Sequence, residues 1–351
     1  YASYGGIFLV SFISVLIASY LLKIYLDPAW KKAVPLLLIF LILAVLPLLI
    51  QPAAEVDLSR QTVDLVVANS VQNENIFEKI EQEIDNLAAL VEESESEFIF
   101  TPARSLSFDL IRNNYYRDQL FLQLENTMQS SFLQLGALAA GDGSYDSKVY
   151  NSLFLLSKDM EIIKRSNQQR NILASINFPY IEELMIFFRK HLNISSDLIE
   201  NSRPAAAVEV QELNYLNFFA GEIFIPLVSR RENFVWEQNL ILYSAAEDKI
   251  DSQLYSNLSF AAAVYRAAET NTDLVRVVRG GFSGYINEQG KIIIKKRIEN
   301  SQQTADLILQ KRQSYYQRYP ERLINIIITA FLLISLIKVI IVLKNKWSSR
   351  N

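Results

Sequence analysis

Between residues 217 and 226 the chain reads NFFAGEIFIP, and this stretch has the layout of a catalytic turn. The apolar run over 215–219 predicts a buried strand. It breaks at small Ala220 and Gly221, meets the carboxylate of Glu222, and continues as a second apolar segment stopped by Pro226. A strand that turns sharply at small residues throws one side chain outward, which is how a nucleophile is presented to a substrate. The side chain in that position is Ala220, a methyl group with nothing to attack with. A plain core strand closed by a glycine turn accounts for the same letters, and on this stretch alone both readings stay open.

Other reactive residue types are scarce. Cysteine is absent, which excludes disulfides, thiolate metal sites and a cysteine nucleophile. The single histidine, His191, follows Arg189 and Lys190 in the setting of a surface helix. One imidazole does not build a zinc site of the usual kind, and no metal or cofactor is expected. Arg266 and Glu269 stand three apart, the spacing of an ion pair on one helix face. At Arg279-Gly280-Gly281 an anion site competes with an ordinary turn. The acidic run over 92–97 reads as a solvated helix end. Net charge is −4 with no basic stripe interleaved with aromatics, so nucleic-acid binding is not expected.

Half of the residues are hydrophobic and mean hydropathy is +0.13, high for a water-soluble chain and low for a polytopic carrier. The apolar excess is concentrated in residues 5–22, 34–50 and 322–343, each about long enough to cross a hydrocarbon core. Lys23, Lys31 and Lys32 lie between the first two runs, and Lys344, Lys346 and Arg350 follow the last. Basic loops favour the cytoplasmic side, and Lys338 can snorkel to that same face. Tyr315, Tyr316 and Tyr319 precede the last run as an interfacial belt does. The predicted layout is two transmembrane helices with a cytoplasmic loop over 1–51 and an extracytoplasmic domain over 56–312. A transmembrane helix over 322–343 and a cytoplasmic tail over 344–351 follow.

Within 56–312 strand and helix patterns alternate, predicting a layered α/β domain. Strands are expected at 63–68 and at 97–101, the latter ending at Pro102. Between them Ile76, Phe77, Ile80, Ile84, Leu87, Leu90 and Val91 recur at helical spacing. Residues 120–138 are expected to be helical. Runs at 150–156 and 160–164 make a hairpin around Ser157-Lys158-Asp159. A strand at 239–243, a helix with Leu254, Leu258, Ala261, Tyr265 and Ala268 along one face, and strands at 274–278, 284–287 and 291–295 complete the domain.

The most specific segment is 265–291, YRAAETNTDLVRVVRGGFSGYINEQGK. It resembles the carbon–nitrogen hydrolase (nitrilase) superfamily, and within it the bacterial apolipoprotein N-acyltransferases, whose stretch is of the type RAxE…RPxxRxxNTGxSxxIdxxG. Arg266, Ala267, Glu269, Arg276, Gly281, Ser283, Ile286 and Gly290 match in order. Tyr150-Asn151-Ser152 resembles the family's YNS strand, and Glu222 with Pro226 resembles the glutamate and proline after its nucleophile. The resemblance covers 1–343. It implies a four-layer αββα sandwich, anchored by two membrane helices before it and one after, with a Glu–Lys–Cys triad. In that family the cysteine takes an acyl chain from phospholipid as a thioester and passes it to the N-terminal amine of a lipoprotein. Carried over, the triad positions fall on Ala103, Lys164 and Ala220. The lysine is kept; the glutamate and the cysteine are both alanine. The family's Pro-Phe-Gly-Glu segment is replaced over 166–173, and its Asn-Asp-x-Trp turn is missing near 245–248.

A thioester route needs a thiolate, and the triad's proton transfer needs its carboxylate. Removing the nucleophile from a coupled triad costs on the order of 10⁶ in rate. The resemblance therefore implies a catalytically inactive member, a pseudoenzyme that keeps Glu222, Arg266, Glu269, Gly281 and Ser283 near its pocket. The expected role is that of a structural or accessory subunit of a larger assembly in the bacterial inner membrane, with the main domain periplasmic and other membrane-protein subunits as partners. Two alternatives stay open. One is an acyltransferase that needs no thiol, with Lys164 as its test residue; the other is a binding protein whose emptied pocket holds a phospholipid chain or a lipoprotein terminus.

Overall fold

The structure is a computed structural model. It describes residues 59–141, 149–168, 207–224, 238–248, 250 and 252–309, with a few helical positions between 11 and 19. The chain divides into two compact units, Tyr1–Glu55 with Gln313–Asn351, and Val56–Arg312. Apart from those few positions, the apolar runs at 5–22, 34–50 and 322–343 lie outside the described residues, as does His191. Among the described residues no helix is long and apolar enough to cross a membrane.

Among the described residues, the second unit is built on two six-stranded sheets. The first contains β1 (Ser59–Val67), β2 (Phe98–Phe100), β3 (Phe132–Ala140), β4 (Val149–Ser157), β5 (Ile162–Asn167) and β12 (Ser301–Leu309), in the order β12-β1-β2-β3-β4-β5. The second contains β6 (Val208–Val210), β7 (Leu213–Phe219), β8 (Leu240–Ala246), β9 (Asp273–Arg279), β10 (Phe282–Ile286) and β11 (Ile292–Arg297), in the order β11-β10-β9-β8-β7-β6. Strands β1, β2 and β3 are parallel, as are β7, β8 and β9. Helices α1 (Ile76–Glu92) and α2 (Asn114–Thr127) pack on the outside of the first sheet, and α3 (Gln253–Thr270) packs against β9 and β10 of the second.

Burial on both faces explains the near-continuous apolar strands. On β1, Val63, Leu65 and Val67 point into the space between the sheets, where they meet Tyr215, Leu242 and Val275, while Val66 points to the helices. Helix α1 starts at Asn75, whose side chain accepts the Phe77 amide, and buries Ile80, Ile84, Leu87, Leu90 and Val91 as their spacing predicts, whereas Ile76 and Phe77 in its first turn are exposed. One polar chain crosses the apolar inter-sheet core. The Tyr215 hydroxyl donates to Gln134, Gln134 Nε2 donates to Asn217 Oδ1 at 2.8 Å, and Asn217 Nδ2 donates to Ser166 Oγ at 3.0 Å. Such a buried relay favours one register of sheet on sheet. Burial pushes the Tyr215 hydroxyl far above its ordinary range, so it stays a donor.

Three sequence expectations are corrected. Residues 120–138 are not one helix: α2 ends at Thr127, Met128–Ser131 turns, and β3 follows. Leu120 and Leu124 keep helical spacing, whereas Leu133, Leu135, Ala137 and Ala139 are buried at a spacing of two. The polar stretch Glu125-Asn126-Thr127-Met128-Gln129-Ser130-Ser131 interrupts the run, and the period changes across it. Helix α3 lies where expected but faces the other way. Leu254 is 70% exposed and Leu258 53%, while Ser256, Ser259, Arg266 and Glu269 are turned inward. Lastly, β12 lies in a stretch with no expected element. Its first half, Ser-Gln-Gln-Thr, is polar, and only Ala305, Leu307 and Leu309 alternate inward.

Candidate functional site

The ends of β2, β7, β8 and β9 converge. Ser244 Oγ on β8 donates to the Thr101 carbonyl just past β2 at 3.0 Å, and Arg279 Nη1 at the end of β9 donates to the Arg104 carbonyl at 2.9 Å. Gly136 on β3 lets the Pro102 carbonyl come close, since a Cβ there would collide with it. Ala103 is thereby held against Leu153 and Phe219, fully buried. Phe219 ends β7, and Ala220–Phe224 coil into a 3-10 turn. Ala220 itself has φ 34°, in the left-handed region that side-chain-bearing residues avoid.

Lys164 is half-buried on β5, opposite Leu155, whose side chain lies in the inter-sheet core. Residues opposite one another in a strand pair share a face. Two positions along, Ser166 stands opposite Leu153, the residue that touches Ala103. Positions 103 and 220 thus flank Phe219, and Lys164 stands on the next strands of the facing sheet. What they bring is two methyl groups and one amine.

The turn after Ala220 is firmly supported. Glu222 is buried, and its Oε2 accepts the Phe219 amide at 3.0 Å, closing the strand break with a carboxylate. Arg266 donates from Nε to the Ile223 carbonyl at 3.0 Å and from Nη1 to Glu269, with both side chains 1% exposed. The ion pair read from the three-residue spacing is therefore a buried brace between α3 and this turn.

A second buried cluster lies beside it, at the ends of β8 and β9. Glu247 Oε1 accepts from Arg276 Nη2 at 2.6 Å and from Ser259 Oγ at 2.7 Å. Arg276 Nε donates to the Phe282 carbonyl at 2.6 Å, and its guanidinium lies 4.4 Å from the Tyr243 ring centroid. Burial above all raises the Tyr243 hydroxyl well beyond its usual range, so it is neutral there. Gly281 belongs to this cluster, because a Cβ on it would collide with Glu247 Oε2. Ser283 Oγ accepts the Val278 amide at 2.9 Å and donates to the Val278 carbonyl, fastening the β9–β10 turn. The Arg279-Gly280-Gly281 turn pairs Arg279 with Asp248 at 3.2 Å, and Gly280 supplies φ +76°. Among the described residues no group of three or more His, Cys, Asp or Glu is arranged to hold a metal.

No family model matches the chain, and no curated protein matches it. Solved structures do. One is XC1258 from Xanthomonas campestris, described as a CN-hydrolase superfamily protein with an arsenic adduct in the active site. It aligns with TM-score 0.52 and 14% identity, over 76% of this chain and 97% of that one. The NitFhit protein of C. elegans aligns with TM-score 0.52 and 15% identity, over 76% of this chain and 64% of its own. The fold is that of the CN-hydrolase superfamily. At such identities the likeness is one of fold alone.

In this CN-hydrolase fold the Ala103–Ala220 corner and the Glu247 cluster both lie at the carboxyl ends of parallel strands, where open α/β sheets place their sites. Glu247 escaped notice as a site residue, although one signal was available. Arg276 stands in the middle of Leu-Val-Arg-Val-Val, and a guanidinium inside a buried strand needs a carboxylate. Its partner is 29 residues away.

Proposed function

We propose that this chain is a non-catalytic protein of CN-hydrolase fold that serves as a membrane-anchored structural or accessory subunit. The carrying observation is the corner where Ala103 packs on Leu153 and Phe219, and where Ala220 occupies a strained strand-to-turn junction. Covalent acyl transfer needs a nucleophile and a base within hydrogen-bond reach of it. Methyl groups at 103 and 220 supply neither, and Lys164 alone has no partner role to fill. The scaffold around the corner is nonetheless costly: two buried ion pairs, Arg266–Glu269 and Arg276–Glu247, hold it. Shape kept without reactivity suits a protein whose surface is used by partners.

The resemblance to the apolipoprotein N-acyltransferases and the flanking apolar runs with their lysines support the anchored, periplasmic placement. In that setting the partners are other membrane-protein subunits. Gentle extraction from the native membrane is expected to bring down stoichiometric partners; a chain recovered alone and monodisperse overturns the accessory role. Catalysis is tested separately. The full chain in vesicles is incubated with phospholipid and a diacylated lipopeptide, then followed by mass spectrometry. No acylated product above the protein-free blank is expected, and product that disappears with Lys164→Ala overturns the inert reading.

A further inference from the structure

Strand β11 is open to solvent on both faces. Ile292 is 46% exposed and Ile293 49%, Ile294 is half-buried, and Lys291, Lys295, Lys296 and Arg297 are exposed. In a chain of net charge −4, the segment Lys-Ile-Ile-Ile-Lys-Lys-Arg at 291–297 holds four cations and no carboxylate. Among the described residues it is the outer strand of its sheet, paired only with β10. Edge strands carry lysines to discourage pairing. That accounts for the charges, and Ile294 packs against the inter-sheet core, but Ile292 and Ile293 are left without a reason, since adjacent exposed apolar groups mark an interaction surface.

The position of β11 narrows the occupant. Tyr285 stands opposite Ile294, and its hydroxyl meets the Ile308 backbone across the two sheets. Leu309 in turn pairs with Ser59. The isoleucines therefore stand at the end of the sandwich where the described chain enters at Ser59 and leaves at Leu309. From Ser59 back to the apolar run 34–50 only residues 51–58 intervene, and from Leu309 forward to the run 322–343 only 310–321. At roughly 3.3 Å per extended residue, those links reach no further than about 26 Å and about 40 Å.

We propose that β11 docks on an anionic lipid surface, with its isoleucines at the headgroup boundary and its lysines over the phosphates. This rests on the membrane-anchored reading above. Apolar side chains on both faces of one edge strand suit a medium that yields around them. A folded acidic partner presents one rigid face and satisfies the cations on one side only. Lys295 is committed to the fold, bonding Asn257 and lying 4.4 Å from the Phe282 ring centroid. Lys291 and Lys296 are the charges to reverse, because both side chains are exposed and Lys296 bonds half-buried Gln303 at the rim rather than entering the core.

The chain has no cysteine, so Ile293→Cys gives a single labelling site, and Leu122→Cys on exposed α2 gives a reference. The full chain carries an environment-sensitive fluorophore at either position. It is placed in vesicles of phosphatidylcholine alone or mixed with phosphatidylglycerol, with a spin-labelled lipid as quencher. In the mixed vesicles the label at 293 is expected to shift to the blue and be quenched several-fold more than the label at 122. Lys291→Glu with Lys296→Glu, or high salt, is expected to remove most of that difference. Equal, water-like signals at both positions overturn the docking. So does quenching indifferent to phosphatidylglycerol and charge reversal, or protection seen in native membranes but never in protein-free vesicles, which assigns β11 to a protein partner. Alkaline carbonate flotation separates the two ideas. A chain that washes off defeats the anchored reading and the docking with it, whereas one that stays with Ile293 wet defeats the docking alone.

Discussion

At the ends of β2 and β7, Ala103 packs a methyl group against Leu153 and Phe219, and Ala220 follows Phe219 with another. One strand over, at the ends of β8 and β9, Glu247 and Arg276 bury a charge pair together with Ser259. The first corner is chemically blank. The second holds groups whose removal from water costs several kcal/mol per ion before attraction offsets it. Groups that costly need a task. Here the task is positional, since Arg276 fixes the Phe282 carbonyl and Glu247 reaches Ser259 on α3. The contrast teaches that ionic bracing and chemical blankness can lie side by side: the costly buried charges adjoin a corner that presents only methyl groups.

The contrast breaks most readily at Glu247. Glu247→Ala leaves the Arg276 guanidinium buried without its carboxylate, an expected loss of about 3–5 kcal/mol, read as a lowered midpoint in urea denaturation. A loss below about 1 kcal/mol would mean the cluster braces nothing. On the blank side, Ala103→Glu must push a carboxyl between Leu153 and Phe219. The expected cost is about 3 kcal/mol from overpacking and carboxyl burial. If Ala103→Glu is instead well tolerated, the corner is an open pocket rather than a filled one.

The far end of the second sheet sharpens the comparison with a carboxylate that has no arginine. Asp273, at the start of β9, is 1% exposed; its Oδ1 accepts the Glu288 amide and its Oδ2 the Tyr285 hydroxyl. Burial first, and then the charge of neighbouring Glu288, raise its carboxyl from 3.8 to about 7. The folded state thus holds a proton that the unfolded chain releases near pH 4. Stability is therefore expected to fall as pH rises through this window, by at most about 2 kcal/mol between pH 5 and pH 7. Asp273→Asn is expected to flatten that slope in denaturation midpoints measured across the range. An unchanged slope would place the titration elsewhere.

How much of this was legible follows from what each signal measures. Strands β7 and β9 were readable because a parallel strand buried on both faces is a continuous apolar run. The break at Ala220-Gly221 was readable because small residues punctuate, and the structure adds the bond from the Phe219 amide to Glu222. The face of α3 was not legible. Periodicity assumes that apolar means inward, but this helix turns Ser259, Arg266 and Glu269 to the core and leaves Leu254 outside. Spacing showed that Arg266 and Glu269 would meet. It could not show that they are buried, because the Ile223 carbonyl that Arg266 grips is 43 residues away. Long-range polar pairing has no local period, and this is why the Glu247 cluster stayed hidden.

The finest test of the contrast is the backbone at position 220. Its φ of 34° suits glycine, yet the residue is alanine, whose methyl presents nothing. Asn271 has a comparable φ of 53°, but it caps α3, where Asn tolerates that geometry. Ala220 has no such excuse: its conformation is imposed by the Glu222 bond on one side and the grip of Arg266 on Ile223 on the other. Ala220→Gly therefore relieves strain on the order of 1 kcal/mol and loses part of it to unfolded-chain entropy. A net gain of about 0.5 kcal/mol is expected, about 1–2 °C in melting temperature. A gain of that sign means the turn is held strained by its neighbours although no side chain exploits it. A loss of 1 kcal/mol or more means the methyl is packed as core, and position 220 then belongs with the filled interior rather than with an emptied catalytic turn.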